Sequence, residues 1–178
     1  MLEIVKLSEL PLTEHDTILA QVQNIFFESS SLKNFSSPST RAAFFKRWCG
    51  DYQTNYPQEF FIALENGKVL GYLSGCSDSN EAAKMIEVPG FLIFQDLFNK
   101  FPAHLHINFH PDARGRGLGS TLVEHYKKYL HENSVVGVHL VTSPNVQNVS
   151  FYERLNFSFN ETREFKHMPL YFMGCILE

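Results

Sequence analysis

The sequence has little cysteine. Cys49, Cys76 and Cys175 are its only three, widely spaced and odd in number. They make no disulfide framework and no CxxC pattern of a zinc or redox site. Long apolar runs are missing too: the longest apolar stretch, "PGFLIF", is far too short to span a bilayer. The opening "MLEIVKLSEL" has no basic region leading into an apolar core, so it does not read as a signal peptide. A cytoplasmic protein with no membrane partner is the expectation. Nor is there an excess of positive charge. The 15 Lys and Arg stand against 19 Asp and Glu, a net charge of −4, which argues against nonspecific binding to nucleic acid. No internal repeat, low-complexity tract or linker interrupts the 178 residues, which suit one domain, 1–178, with a sizeable core.

What the chain does have is apolar mass. With 44% hydrophobic residues, 17 Phe and only 19% charged residues, it reads as globular rather than disordered. "LEIVKL" reads as a first strand. Residues 13–29 read as a helix capped by Thr13, with Ile18, Val22, Ile25 and Phe26 on one face. Pro38, Ser39 and Thr40 open a second helix through "RAAFFKRWCGDY". "EFFIALENGKVLGYLSGC" is a hairpin, and its Asn66-Gly67 predicts a type I′ turn. "FLIFQDLFNKF" predicts a short amphipathic helix ending before Pro102. "HLHINFH" alternates, with Leu105, Ile107 and Phe109 on one face and His104, His106, Asn108 and His110 on the other. A helix follows with Leu118, Leu122, Tyr126 and Leu130 at four-residue spacing, and then "VVGVHLV" as a buried strand. Ser143 predicts the cap of a helix from Pro144 to Leu155, with Asn156 left-handed at its end. "FSF" and "PLYFMGCIL" supply two last strands. The order suggests one α/β domain with a mixed, largely antiparallel sheet of about seven strands.

Between the alternating strand and its helix lies "RGRGLG", residues 114–119, with no acidic residue. A loop this rich in glycine turns sharply or lets something approach its backbone. The first turn of a helix offers free N–H groups and the positive end of the dipole. Without side chains at Gly115, Gly117 and Gly119, a phosphate can come close, and Arg114 and Arg116 add charge. The alternative is a tight strand-to-helix turn with solvated arginines. Two familiar phosphate motifs are excluded. No Lys-Ser/Thr follows the glycines, so this is not a Walker A loop, and a Rossmann GxGxxG needs other spacing and a distant acidic strand end.

A second motif is "SPNVQNVSFYERLNF", in which Tyr152 follows Asn145 by seven residues, two helical turns. Together the two motifs resemble the GNAT superfamily of acetyl-CoA-dependent N-acetyltransferases. Its pattern is [QR]-x-x-G-x-[GA] opening a helix, then N-x-x-[AS]-x-x-x-Y-x-x-x-G-F. Arg114, Gly117 and Gly119 match the first part, and Asn145, Tyr152 and Phe157 match the second. Asn148 stands where a small residue is usual, and Asn156 where glycine is usual. More narrowly, "FPAHLHINFHPDARGRGLG" looks like the acetyltransferase-like domains related to those attached to O-GlcNAc-removing hydrolases, with Asn108 in place of an acid.

The resemblance implies a GNAT fold, a twisted sheet with helices on both faces. It implies acetyl-CoA as cosubstrate without a metal, and direct transfer to a primary amine of a small molecule or protein by a monomer or homodimer. It also implies that the strand at 104–110 splays from the strand at 135–142, with the pantetheine arm bonded to backbone near Phe109 and His110. The pyrophosphate would sit on Arg114, Gly115, Arg116, Gly117, Leu118, Gly119 and Ser120. Asn145 would bond the arm or place the acceptor, and Asn148 would point at the cofactor or at solvent. Tyr152 stands at the family's position for the acid that protonates the departing thiolate. Many relatives carry a basic carboxylate on the strand before the loop. This strand has none, which leaves His106 as the base by position, with Asn108 on the same polar face. His104 and His106 form an H-x-H pair, but no third ligand stands out by spacing. Two further readings stay open: a module that keeps CoA without transfer, and a phosphate-binding regulatory domain without CoA.

Overall fold

Ile18, Val22, Ile25 and Phe26 line one side of the helix Leu12–Ser29 (α1), and all four are buried. Its N-cap is Pro11, so Thr13 lies inside the first turn instead of capping it. Proline has no N–H to leave unpaired at a helix start. Strand β1 (Leu2–Lys6) precedes α1. The next helix opens at Pro38, as expected. Ser37 is its cap, accepting from the Thr40 N–H at 3.1 Å, and Pro38 takes the first turn. This helix, α2 (Pro38–Phe45), runs through a π turn at Lys46–Gly50 into α3 (Asp51–Asn55). The hairpin of β2 (Phe60–Glu65) and β3 (Lys68–Cys76) turns on Asn66 and Gly67, both at positive φ, as the type I′ reading requires.

The computed structural model describes residues 2–144 and 148–177. The chain packs as two compact units, Met1–Gly75 with His106–Leu122, and Cys76–Leu105 with Val123–Glu178. Strand β4 (Ala103–Phe109) gives its first three residues to the second unit and its last four to the first. Strand order is β1-β2-β3-β4 in the first unit and β4-β5-β7-β6 in the second. β1–β2, β2–β3, β5–β7 and β6–β7 pair antiparallel and β4–β5 parallel, the mixed, largely antiparallel pattern expected of these seven strands.

In the second unit, Asp78 caps a helix the sequence reading left out, α4 (Ser79–Met85), by accepting from the N–H groups of Asn80 and Glu81. "FLIFQDL" is a 3₁₀ helix, Phe91–Leu97, not an α-helix. Buried Phe91 and Phe94 are three residues apart, one turn of the tighter helix, and they pack with Phe98, Phe101 and Phe172. Helix α5 (Leu118–Glu132) and strand β5 (Gly137–Thr142) fall where expected. Of the helix expected from Pro144 to Leu155, the described residues hold α6 (Val149–Glu153), with Asn148 as N-cap. Tyr152 stands on α6, and Asn145 lies outside the described residues. Strand β6 is Phe159–Phe165, longer than "FSF" suggests, and pairs with β7 (Met168–Ile176) across Lys166 and His167, both at positive φ. Its charged alternation suits the last strand of the order, where Arg163 pairs with Asp96 and Glu161.

Gly71 in β3 fixes how β4 leaves the core of the first unit. A Cβ built there would lie 2.4 Å from the Phe109 ring, which rests on bare backbone. Gly71→Ala is expected to overpack this contact and cost about 1–3 kcal/mol. A lower urea midpoint at unchanged m-value would show it. An unchanged midpoint would mean that the ring moves aside freely.

Candidate active site

The loop after β4 is built around two backbone demands. Gly115 and Gly117 sit at φ +73° and +77°, and a Cβ built on either meets nothing within 4 Å. The left-handed conformation requires glycine, and the space beside each is open. α5 starts directly after, at Leu118, which is buried with Leu70 and Ala113. Gly119 and Ser120 lie in its first turn.

The two arginines of the loop differ. Arg116 donates through Nη2 to both carboxylate oxygens of Glu65, at 2.9 and 3.2 Å. Arg114 reaches a neutral partner, the Ser29 hydroxyl, at 3.3 Å. Ser29 Oγ in turn donates to the Phe109 carbonyl at 3.3 Å. The His110 N–H is bonded to the Leu70 carbonyl at 2.9 Å. Of the two backbone groups expected near the pantetheine, the Phe109 oxygen keeps a second lone pair, while the His110 N–H is already used. The His110 ring lies 3.5 Å from Glu28 and 3.7 Å from Asp112.

The last four residues of β4 carry the other candidates. The His106 ring meets Trp48 and Tyr52 edge-on, with centroids 5.8 and 5.6 Å away. Burial holds its pKa down at about 4, so the imidazole is neutral at pH 7. That is low for a general base, whose ideal pKa lies near the operating pH. Asn108 donates through Nδ2 to the Tyr72 hydroxyl at 2.9 Å. Tyr72 is fully buried and stacked on Phe60. Its hydroxyl is also bonded to the Cys49 thiol, and burial raises its pKa well above the usual tyrosine range. Burial pushes the Cys49 thiol up to about 12, and its sulfur accepts from Gln53 Nε2 at 3.5 Å. Sequence reasoning missed Trp48, Cys49, Tyr52, Gln53 and Tyr72. Cys49, Tyr52 and Gln53 are spaced i, i+3, i+4, so a helix-face reading would have grouped them. Nothing in the sequence marks the π turn at Lys46–Gly50 that contains Trp48 and Cys49.

In the second unit, Tyr152 on α6 is 5% exposed, its ring edge-on to Phe151 and Phe157. Burial raises its pKa far above the tyrosine range, so the hydroxyl keeps its proton. Asn148 is exposed, and its Oδ1 accepts from the Thr142 hydroxyl at 3.4 Å. Asn156 takes φ +64°, the expected left-handed position. His104 is buried, with Nδ1 2.9 Å from the Ser79 hydroxyl. The parallel ladder of β4 and β5 is two pairs long, Ala103↔Val138 and His104↔His139. Among the described residues no helix is long and apolar enough to cross a membrane.

The model of the acetyltransferase (GNAT) family matches residues 19–157. Solved structures resemble the fold over nearly the whole chain. SsHAT is 21% identical at a TM-score of 0.73, over 99% of this chain and 98% of that one. PaiA N-acetyltransferase of Thermoplasma acidophilum, solved in complex with coenzyme A, is 13% identical at 0.60, over 99% of each chain. The ribosomal-protein-S18-alanine N-acetyltransferase of Escherichia coli is 17% identical at 0.58, over 100% and 95%.

The neutral His106 links stability to pH. Its folded pKa of about 4 lies below its ordinary 6.5, so the unfolded chain takes up a proton first as pH falls. The contribution is full above pH 6.5 and is lost on descending to about 4, by at most about 3 kcal/mol. Urea unfolding at about pH 7 and about pH 4.5 should show wild type losing more stability than His106→Gln. Equal losses would mean that the ring is solvated.

Proposed function

Because the chain belongs to the acetyltransferase (GNAT) family, we propose that it is an acetyl-CoA-dependent N-acetyltransferase acting directly on a primary amine of a small molecule or protein. The observation that carries this reading is the loop: two left-handed glycines with open space beside them at the start of α5. Those positions fit a pyrophosphate. Its oxygens can reach the first-turn N–H groups where any Cβ would intrude. Arg114, Gly115, Gly117, Leu118, Gly119, Ser120 and the backbone of Arg116 would hold it, and the Phe109 carbonyl, Asn145 and Asn148 would serve the pantetheine arm. A fold neighbour solved with coenzyme A supports the choice of cosubstrate. The three free, buried cysteines suit a reducing cytoplasm.

Acetyl-CoA supplies an activated acetyl thioester. As the bond from carbon to nitrogen forms, the bond from carbon to sulfur breaks. The amine gives up one proton and the sulfur gains one. Tyr152, kept protonated by burial, is the donor to sulfur. On the amine side, a lysine-like group of pKa ~10.4 is neutral in under roughly a thousandth of molecules at pH 7. His106, neutral and weakly basic, passes a proton on to water rather than holding it. A second reading, CoA binding without transfer, is favoured by Asn108, an amide on the strand where many relatives carry an acid.

Two measurements test this. Arg114→Ala should weaken CoA about tenfold or more in titration calorimetry, since a charge-assisted bond is worth about 1.5–3 kcal/mol. Arg116→Ala should matter little, because Glu65 already holds that guanidinium. Two silent variants would leave the backbone to do all the binding. Tyr152→Phe keeps the ring and removes the proton donor. Thiol release should slow about 10²-fold, while the apparent affinity for acetyl-CoA barely moves. A Phe variant as fast as wild type would place the acid elsewhere.

A further inference from the structure

Resting on the transfer reading above, we propose that Asn108 holds the acceptor amine through its carboxamide oxygen, and that Tyr72 and Cys49 are positioning residues that fix that oxygen's direction. The hydrogen bonds converge on the Cys49 sulfur. Gln53 Nε2 donates to Cys49 Sγ at 3.5 Å. The Tyr72 hydroxyl is bonded to the same sulfur. A hydroxyl has one hydrogen, and it is a stronger donor than a thiol. With that hydrogen directed at sulfur, the Tyr72 oxygen faces Asn108 as an acceptor. The Asn108 atom 2.9 Å away is therefore the NH₂ nitrogen. A carboxamide has two unlike ends, so fixing the NH₂ on Tyr72 turns Oδ1 away from it.

That oxygen stands on the strand face it shares with His106, whose ring meets Trp48 and Tyr52. Asn108 is half-buried, so the face is not sealed. An amide oxygen accepts an N–H but takes no proton. It does not help to deprotonate the amine it holds, so among amines of similar size those of lower pKa, more of them neutral at pH 7, are the better acceptors.

The test is a double-mutant cycle between Tyr72→Phe and Asn108→Asp. A panel of primary amines led by benzylamine and glycinamide serves as acceptor, with thiol release from acetyl-CoA as readout and CoA affinity measured in parallel. Tyr72→Phe should raise the acceptor KM about tenfold in the Asn108 background, the worth of one hydrogen bond. CoA affinity should stay unchanged. In the Asn108→Asp background the same change should be nearly silent, because a carboxylate has two like oxygens and needs no orientation. Cys49→Ala should reproduce Tyr72→Phe, since Tyr72 can then turn its hydrogen to Asn108, and Cys49→Ser should restore wild-type behaviour. If Tyr72→Phe fails to fold by circular dichroism, the cysteine pair carries the cycle. An equal rise in KM in both backgrounds would mean packing alone and overturns the proposal, as does a silent Tyr72→Phe in the Asn108 background. Independently of any acceptor, NMR should show the Asn108 NH₂ protons in contact with Tyr72 in wild type and lose that contact in Cys49→Ala. If wild type binds CoA but releases thiol with no amine, the transfer reading falls and this role with it. If transfer proceeds but the NMR contact is absent, only the positioning fails.

Discussion

The parallel ladder between β4 and β5 ends after two residue pairs, and the proposed transfer depends on that ending. Backbone N–H and C=O groups seldom stay unpaired in a folded chain, so a strand that outruns its ladder must find other partners. β4 does so in the first unit. The Phe109 carbonyl takes the Ser29 hydroxyl, while the His110 N–H bonds the Leu70 carbonyl of β3, the neighbour on the other edge. Burial changes at the same place. Ala103, His104 and Leu105 are buried, and His106 through Phe109 are half-buried. Every strand-borne candidate residue lies past that change.

Charge is distributed unevenly over the candidate residues. Burial holds the His106 imidazole unprotonated and keeps Tyr72, Tyr152 and the Cys49 thiol protonated, so all four are neutral at pH 7. The formal charge sits in the loop, on Arg114 and on Arg116 with its carboxylate partner. In the proposed reading, anionic phosphate would thus be met by guanidinium and helix N–H groups. The acceptor amine would be met by aromatic edges and neutral hydrogen-bonding groups. This division suits a substrate that is charged at one end and must be uncharged at the other.

Much of this arrangement was legible in the sequence where a single residue type is forced by backbone geometry. Asn66-Gly67, Gly115, Gly117 and Asn156 all occupy the left-handed positions their identities suggest. Alternation located β4, and four-residue spacing located α5. Legibility failed where packing chose between similar local options. Phe91 and Phe94 read equally well as part of an α-helix, and only their shared pocket with Phe172 selects the 3₁₀ turn. The Lys166-His167 turn carries no glycine or asparagine, so pairing of β6 with β7 imposes it against local preference. The Tyr72–Cys49–Gln53 chain was invisible because a tyrosine and a cysteine in apolar runs look like core.

The π turn at Lys46–Gly50 makes the helical stretch from Pro38 to Asn55 open to evolution by insertion and deletion. A π turn holds one residue more than the α-helix around it. Loss of a single codon there would restore regular winding and rotate Asp51–Asn55 by roughly 100° against Pro38–Phe45. Tyr52 and Gln53 would then face another way, while every strand kept its register. Such a helix lets a lineage exchange the aromatic wall beside His106 in one genetic event, leaving the glycine loop and the sheet untouched.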